Sequence, residues 1–339
     1  MEYKNFRDLK LSEIGVGTYL GNPDEETDKN YFETIKLAVE KGINVVDTAI
    51  NYRNMRSEVI VGKVAKEIGR DKLVISTKGG YLTGDFRSNK KPVEWIKENL
   101  IDTGIISLSE ITENGNVLTP RYIDWSFNKS LENLDTDYID VYFLHNPEEQ
   151  LTKFSREEFL DKLRAVFRLL EGKVQEGKLK YYGLATWNGF RLPRGYKQLL
   201  DLKEIYDIAT DVGGENHHFR FIQLPYNLAM LEAFTLKNQI IDGEELTPLE
   251  AAERLGIYTY ISSPLFQGRI IGTTNPDVKA RFKVFKDVHL PIQFVRSTPG
   301  VGTVLIGMSK KEHLLENIEI EDLPKLSQAE IKSILNIKG

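Results

Sequence analysis

The sequence predicts an α/β fold in which eight parallel strands alternate with helices and close into a (β/α)8 TIM barrel. Three observations carry this reading. Eight short apolar runs are spread along the chain, each of a length that suits a buried parallel strand. The segments between them carry apolar residues at helical spacing, the pattern of a parallel sheet covered by helices. The 339 residues suit one large barrel with long loops at its C-terminal face, so residues 1–339 are read as a single domain. A doubly wound sheet is the alternative, but no Gly-x-Gly-x-x-Gly follows any of the runs, which counts against a Rossmann domain.

The first run is Ile14–Gly17. In Tyr31–Lys41, Ile35, Leu37, Ala38 and Val39 recur near helical spacing, and Gly42 is a natural stop before the second run, Ile43–Val46. Leu73–Thr77 is the third run. The long segment 79–120 that follows is rich in Gly, Asn, Asp and Lys; it is read as an excursion over one face, holding a short helix at Pro92–Asn99. A helix near Ile123–Leu134 leads to the fourth run, Tyr138–Leu144. Phe159–Val174 carries one apolar stripe, Leu160, Leu163, Phe167 and Leu170, with Gly177 beyond it. Lys180–Leu184 and Phe219–Leu224 are the fifth and sixth runs. Thr247, Pro248 and Glu250 read as an N-cap, a first helical position and an early acidic residue. Ile257–Ile261 is the seventh run. A loop-like stretch from Phe266 to Val288, with Gly268, Gly272 and Pro276, precedes the eighth, Val301–Ile306. Ser309 is the expected N-cap of the final barrel helix, and about 320–339 reads as a tail. Long loops on a barrel's C-terminal face commonly shape a substrate pocket.

Bulk composition narrows the function. Apolar content of 41% and charged content of 28% are those of a globular chain rather than a disordered one. A formal charge of -5 gives no basic footprint, so no nucleic-acid partner is expected. No apolar stretch approaches the roughly 20 residues that span a bilayer, so no membrane partner is expected. Cysteine is absent, which removes disulfides, thiolate nucleophiles and zinc-thiolate sites. Met1–Lys10 alternates charge with aromatics instead of forming a signal peptide's apolar core, and a cytoplasmic protein is the expectation.

Four polar residues stand at or just beyond strand ends: Asp47, Tyr52, Lys78 and His145. Burying a carboxylate, a phenol, an ammonium and an imidazole there is costly unless they pair with one another. The C-terminal strand ends are where a barrel carries its active site. A tyrosine yields a proton reluctantly near neutrality; Lys78 within reach of Tyr52 is expected to lower its pKa, with Asp47 keeping Lys78 charged and oriented. His145 adds a donor that can align a carbonyl oxygen. Together they suit proton delivery to a carbonyl while hydride arrives from elsewhere.

These residues carry a resemblance. Asp47-Thr48-Ala49 with Tyr52, Ser76-Thr77-Lys78, and Ser130-Leu131-Glu132 through Asp137-Tyr138-Ile139-Asp140 to His145 are similar to the aldo-keto reductase superfamily. So are Ile14-Gly15-Val16-Gly17-Thr18, Gly177-Lys178 with Gly183-Leu184, Gln223 to Asn227, Ser263-Pro264-Leu265, and Ile306-Gly307 to Glu316-Asn317, in order over roughly residues 10 to 320. The resemblance implies NADPH-dependent reduction of an aldehyde or ketone without a metal, with Tyr52 as proton donor, Lys78 and Asp47 as its tuning pair and His145 orienting the carbonyl. It implies cofactor contacts from Gly17, Thr18, Tyr19 and Asp47, from Thr186 and Gln223, from Ser263, Pro264, Leu265 and Gln267, and from Gly307, Ser309, His313, Glu316 and Asn317.

The chain departs from the family pattern at three points. Ala185-Thr186 stand where Ser-Asn commonly grips the carboxamide. Ser262 occupies the place of the aromatic that stacks on the nicotinamide, with Trp187 a candidate replacement or substrate-pocket residue. Gly307, Met308 and His313 replace the Lys-Ser and the downstream Arg that read the 2′-phosphate, leaving Ser309, Lys310 and Lys311 to supply a hydroxyl and positive charge. Preference for NADPH therefore comes from the resemblance, and NADH is the second candidate cofactor. His217-His218 is the only histidine pair and lacks a third ligand at suitable spacing, so no metal site is assigned. A cofactor-binding regulatory protein with weak or no turnover, as among channel-associated relatives, is the alternative function. A metal-dependent barrel hydrolase would need His-rich strand ends that are missing.

Overall fold

A computed structural model describes every residue except 274, 275, 277–279, 281, 283, 285, 338 and 339. All eight apolar runs are strands, displaced by at most two residues from the expected bounds: β1 Ile14–Gly17, β2 Val45–Asp47, β3 Val74–Gly79, β4 Ile139–His145, β5 Leu179–Ala185, β6 Phe219–Pro225, β7 Tyr258–Ser262 and β8 Thr303–Gly307. They close into a parallel barrel in sequence order, with β8 pairing β1. The expected (β/α)8 architecture is the observed one. Its register aligns the C-terminal ends that matter: Gly17 stands beside Asp47 and Asp47 beside Ser76. His145 stands beside Ala185, and Ala185 beside Gln223. In β5 the register shifts at Gly183, where a Cβ would meet the Phe221 carbonyl oxygen at 1.9 Å. Only glycine allows that approach.

The helices between are α1 Glu25–Glu40, α2 Arg56–Ile68, α3 Pro120–Leu134, α4 Arg156–Gln175, α5 Leu202–Gly213, α6 Pro248–Arg254, α7 His289–Ser297 and α8 Lys311–Ile318. α1 starts earlier than the apolar spacing indicated, because Asp24 accepts from the Thr27 amide and caps a polar first turn. Thr247 and Glu250 form the capping box of α6, as their spacing predicts. Ser309 is not the cap of α8: the helix begins one residue later, with extended Lys310 at the N-cap and no side-chain cap. The expected helix at Pro92–Asn99 is α-helical over Pro92–Ile96 and passes into a π turn at Lys97–Ile101.

Two hairpins lie outside the barrel order. Tyr3–Phe6 and Leu9–Ser12 pair antiparallel and cover the N-terminal mouth, where Phe6 meets Phe221 at 5.4 Å and Tyr258 at 5.2 Å. Burying these rings seals that end with apolar surface. Gln239–Ile241 and Glu244–Leu246 turn through Asp242-Gly243, both with positive φ. That dipeptide is a strong hairpin signal, set between runs too short to stand out as strands. No helix among the described residues is long and apolar enough to cross a membrane.

Excursion 79–120 is anchored beside the C-terminal mouth. Val117 N donates to Gly80 O at 2.7 Å, and Asn116 Nδ2 donates to the His145 carbonyl at 2.8 Å. The loop expected over 266–288 lies partly outside the described residues.

Candidate active site

Strand alternation turns Ser76 and Lys78 toward the barrel axis and Thr77 outward. Outward, Thr77 Oγ1 donates to buried Glu58 of α2 at 2.6 Å. Inward, Lys78 Nζ, wholly enclosed, donates to Asp47 Oδ2 at 2.6 Å and to the Thr48 carbonyl at 2.7 Å. Asp47 Oδ1 accepts from Ser76 Oγ at 2.7 Å and from Gln223 Nε2 at 3.1 Å. Asp47 is thus held through both of its carboxylate oxygens. Tyr52 follows β2, and its ring centroid lies 4.8 Å from Lys78 Nζ. Its edge-on neighbours are His145 at 5.9 Å and Tyr19 at 5.1 Å. The structure therefore brings all four predicted strand-end residues together.

Their electrostatics differ from expectation at one point. Burial holds the Lys78 ammonium below its ordinary value against the opposing pull of Asp47. Burial, reinforced by the Lys78 charge, holds His145 well below the usual imidazole value, so it is neutral at pH 7. Tyr52 was expected to have a lowered pKa. It is pushed well above the usual phenol value, first by burial and then by the Asp47 charge. Lys78 does not counter the burial, because its hydrogen bonds go to Asp47 and the Thr48 carbonyl. Tyr52 accordingly keeps its proton in the resting site.

Above these residues opens a cleft of about 930 Å³. Gly17, Thr18, Tyr19 and Asp47 line it from one side, Thr186, Trp187 and Gln223 from another. Ser263, Pro264, Leu265 and Gln267 form a third wall, and Gly307, His313, Glu316 and Asn317 a fourth. Ser262 also borders it. Ser309 does not. Lys311 is engaged by Glu33 at 2.9 Å, so its charge is directed to α1. Ser263, Phe266 and Gln267 have φ of 52, 47 and 56°. Left-handed non-glycine residues in one short wall persist only where their surroundings over-determine them. Thr186 N donates to Gln223 O at 2.8 Å, while its buried hydroxyl has no partner among the described residues.

The sequence profile described as Aldo/keto reductase family matches residues 13–269. The chain belongs to this family. It is 26% identical over 345 residues to a protein named putative voltage-gated potassium channel subunit beta from Schizosaccharomyces pombe, with 96% of this chain and 89% of that protein covered. An aldo/keto reductase of Klebsiella pneumoniae solved with NADP and acetate has a TM-score of 0.65 at 19% identity, covering 97% of this chain and 92% of that one. A structure from the same organism with NADPH has a TM-score of 0.68 at 19% identity, covering 99% and 95%. The thermostable aldo-keto reductase Tm1743, solved with the inhibitor epalrestat, has a TM-score of 0.67 at 19% identity, covering 98% of both chains. At such identity the structural likeness speaks for the barrel.

Several residues of the family member's site escaped the sequence reading. Ser76 belongs to the Ser76-Thr77-Lys78 motif with no role of its own legible there, yet its hydroxyl fixes Asp47. Glu148 Oε1 accepts from the backbone amides of Trp187, Asn188 and Gly189 at 2.8, 2.9 and 3.1 Å, so one buried carboxylate shapes the loop after β5. Tyr81 and Asn146 border the cleft; their positions, three residues after Lys78 and one after His145, were the available signal. The His217-His218 pair is occupied by protein groups. His218 Nδ1 meets Glu171 Oε2 at 2.8 Å and His217 Nε2 meets Arg220 Nη1 at 3.0 Å. Burial and Arg220 push His217 down to about 4.

Proposed function

We propose that this family member reduces an aldehyde or ketone to an alcohol with NADPH, Tyr52 delivering the proton. The reading rests on one arrangement: an enclosed Lys78–Asp47 pair beneath Tyr52, with a neutral His145 beside it, at the floor of the cleft. The residues present fit a nicotinamide dinucleotide. The cleft's volume suits an elongated ligand, and the unpartnered Thr186 hydroxyl and the Gln223 side chain stand where a carboxamide would need polar contacts. The walls at 263–267 and at Gly307, His313, Glu316 and Asn317 would hold its phosphates and adenosine. When bound, NADPH supplies the hydride that the carbonyl carbon takes up. NADH is the second candidate.

His145 donates from its neutral imidazole to the carbonyl oxygen and orients it. Tyr52 transfers its phenolic proton to that oxygen as negative charge develops there, completing the alcohol. The phenolate left behind belongs to a ring whose centroid lies 4.8 Å from the Lys78 ammonium, and that charge stabilises it. Water then returns the proton to Tyr52. Asp47 keeps Lys78 charged throughout.

In Tyr52→Phe, NADPH affinity should be retained while kcat/KM for carbonyl reduction falls about 10²–10⁴-fold. Unchanged turnover would remove Tyr52 from this role. The likeness to a putative channel beta subunit favours a second reading, a cofactor-binding regulatory protein. Tight NADPH binding with no consumption across aldehydes, ketones and sugar-derived carbonyls would support that reading instead.

A further inference from the structure

We propose that Tyr81 and Asn146 form a hydroxyl-reading pair beside the reacting carbonyl, making the preferred substrate a neutral carbonyl compound with a hydroxyl on a neighbouring carbon. This rests on the reductase reading above and refines it.

Both residues are held firmly. Tyr81 bridges Asn116 at the base of the excursion, and its carbonyl accepts from Tyr122 Oη at 2.6 Å. Its ring stands edge-on to His145, centroids 5.0 Å apart, on the same imidazole that Tyr52 meets at 5.9 Å. Asn146 directly follows His145 in the left-handed region, φ 44° and ψ 55°. Its amide N donates to the Ala185 carbonyl at 2.6 Å. The two side chains meet: Asn146 Nδ2 donates to Tyr81 Oη at 3.0 Å.

That contact leaves the phenolic proton and the amide oxygen with no partner among the described residues. Turning the amide over would leave donors on nitrogen and an acceptor on the phenol, so at least one donor and one acceptor are left over in either orientation. A hydroxyl both donates and accepts, and satisfies the pair. An alkyl group leaves both unpaired, which is the strongest source of discrimination a site of this kind has. A third group points the same way. The Asn51 side-chain oxygen, next to Tyr52, is buried without a partner among the described residues, and its residue borders the same cleft.

Charge narrows the class further. Among the described residues lining the cleft, Lys286 is the only lysine or arginine, and it is paired with Glu319 at 2.7 Å. Lys78, below the floor, is committed to Asp47. Among the described residues, a carboxylate or phosphate on a substrate beside the Tyr81–Asn146 pair would find no free cation, whereas hydroxyls would find unpaired partners.

The test compares kcat/KM, per free carbonyl form, for glyceraldehyde and propanal with NADPH in the wild type, Tyr81→Phe and Asn146→Gly. The glycine variant keeps the left-handed backbone while removing the amide. NADPH dissociation constants, from fluorescence titration, check that each variant folds with its cofactor site intact. Wild type should favour glyceraldehyde by at least about tenfold, and either substitution should bring the ratio to within about threefold. Glyceraldehyde 3-phosphate should be a poorer substrate than glyceraldehyde; a better one would overturn the neutral-substrate assignment. A wild-type ratio near one, or a ratio that survives both substitutions, would overturn the hydroxyl-reading pair while leaving the reductase standing. NADPH binding with reduction of none of the three would overturn the reductase reading itself.

Discussion

Replacing Lys78 by methionine tests the centre of the mechanism through stability as well as rate. The ammonium has no exposed surface and two hydrogen bonds, 2.6 Å to Asp47 and 2.7 Å to the Thr48 carbonyl. Removing one partner of such a buried pair costs about 3–5 kcal/mol, because the other charge stays behind in a poor solvent. Lys78→Met belongs near the lower bound, since Asp47 keeps its donors from Ser76 and Gln223 at 2.7 and 3.1 Å. Asp47→Asn belongs higher, since the enclosed lysine then has no counter-charge. The double variant removes both charges and should cost less than the two single costs added, by about 1–3 kcal/mol. Urea unfolding followed by tryptophan fluorescence measures all three. Because the folded state holds the Lys78 pKa below its unfolded value, its contribution is present above about pH 10.4 and lost as pH falls through the folded value. Lys78→Met should abolish that part of the pH slope, and Asp47→Asn should widen its window downward. Turnover should fall about 10²–10⁴-fold in each single variant. Additive costs, or a Lys78→Met protein as stable and active as wild type, would refute the coupled pair.

His145 has a depressed folded pKa, so its contribution to stability is present above about pH 6.5 and lost as pH falls through its folded value. His145→Gln should therefore lose stability less steeply than wild type between pH 6.5 and 5 in urea titrations, and parallel curves would show that the imidazole is not held neutral. His217, pushed down to about 4, has the same sign and stays constant in that comparison. Glu148→Ala strips the acceptor from three consecutive amides after β5. It should weaken NADPH binding about tenfold by fluorescence titration, and an unchanged constant would mean that the Thr186–Gly189 loop does not touch the cofactor.

Much of the fold and part of the site were legible in the chain alone. Parallel barrel strands are buried on both faces, so each reads as an unbroken apolar run; that is why the eight runs and the eight strands coincide within two residues. Asp47, Tyr52, Lys78 and His145 stood out because ionisable groups at the ends of such runs need partners. Tertiary structure decided the rest, because contacts between distant residues and the degree of enclosure have no local sequence signature. Gln223 reaches Asp47 across 176 residues and Tyr81 meets Asn146 across 65, pairings that exist only once the barrel closes in register. Ser309 had the chemistry of a cap, but Lys311 pairs with Glu33 on α1 and the helix starts beyond it. The sign of the Tyr52 shift had the same origin. Sequence named the phenol, the ammonium and the carboxylate, while the distances among them and their burial determined that the tyrosine holds its proton.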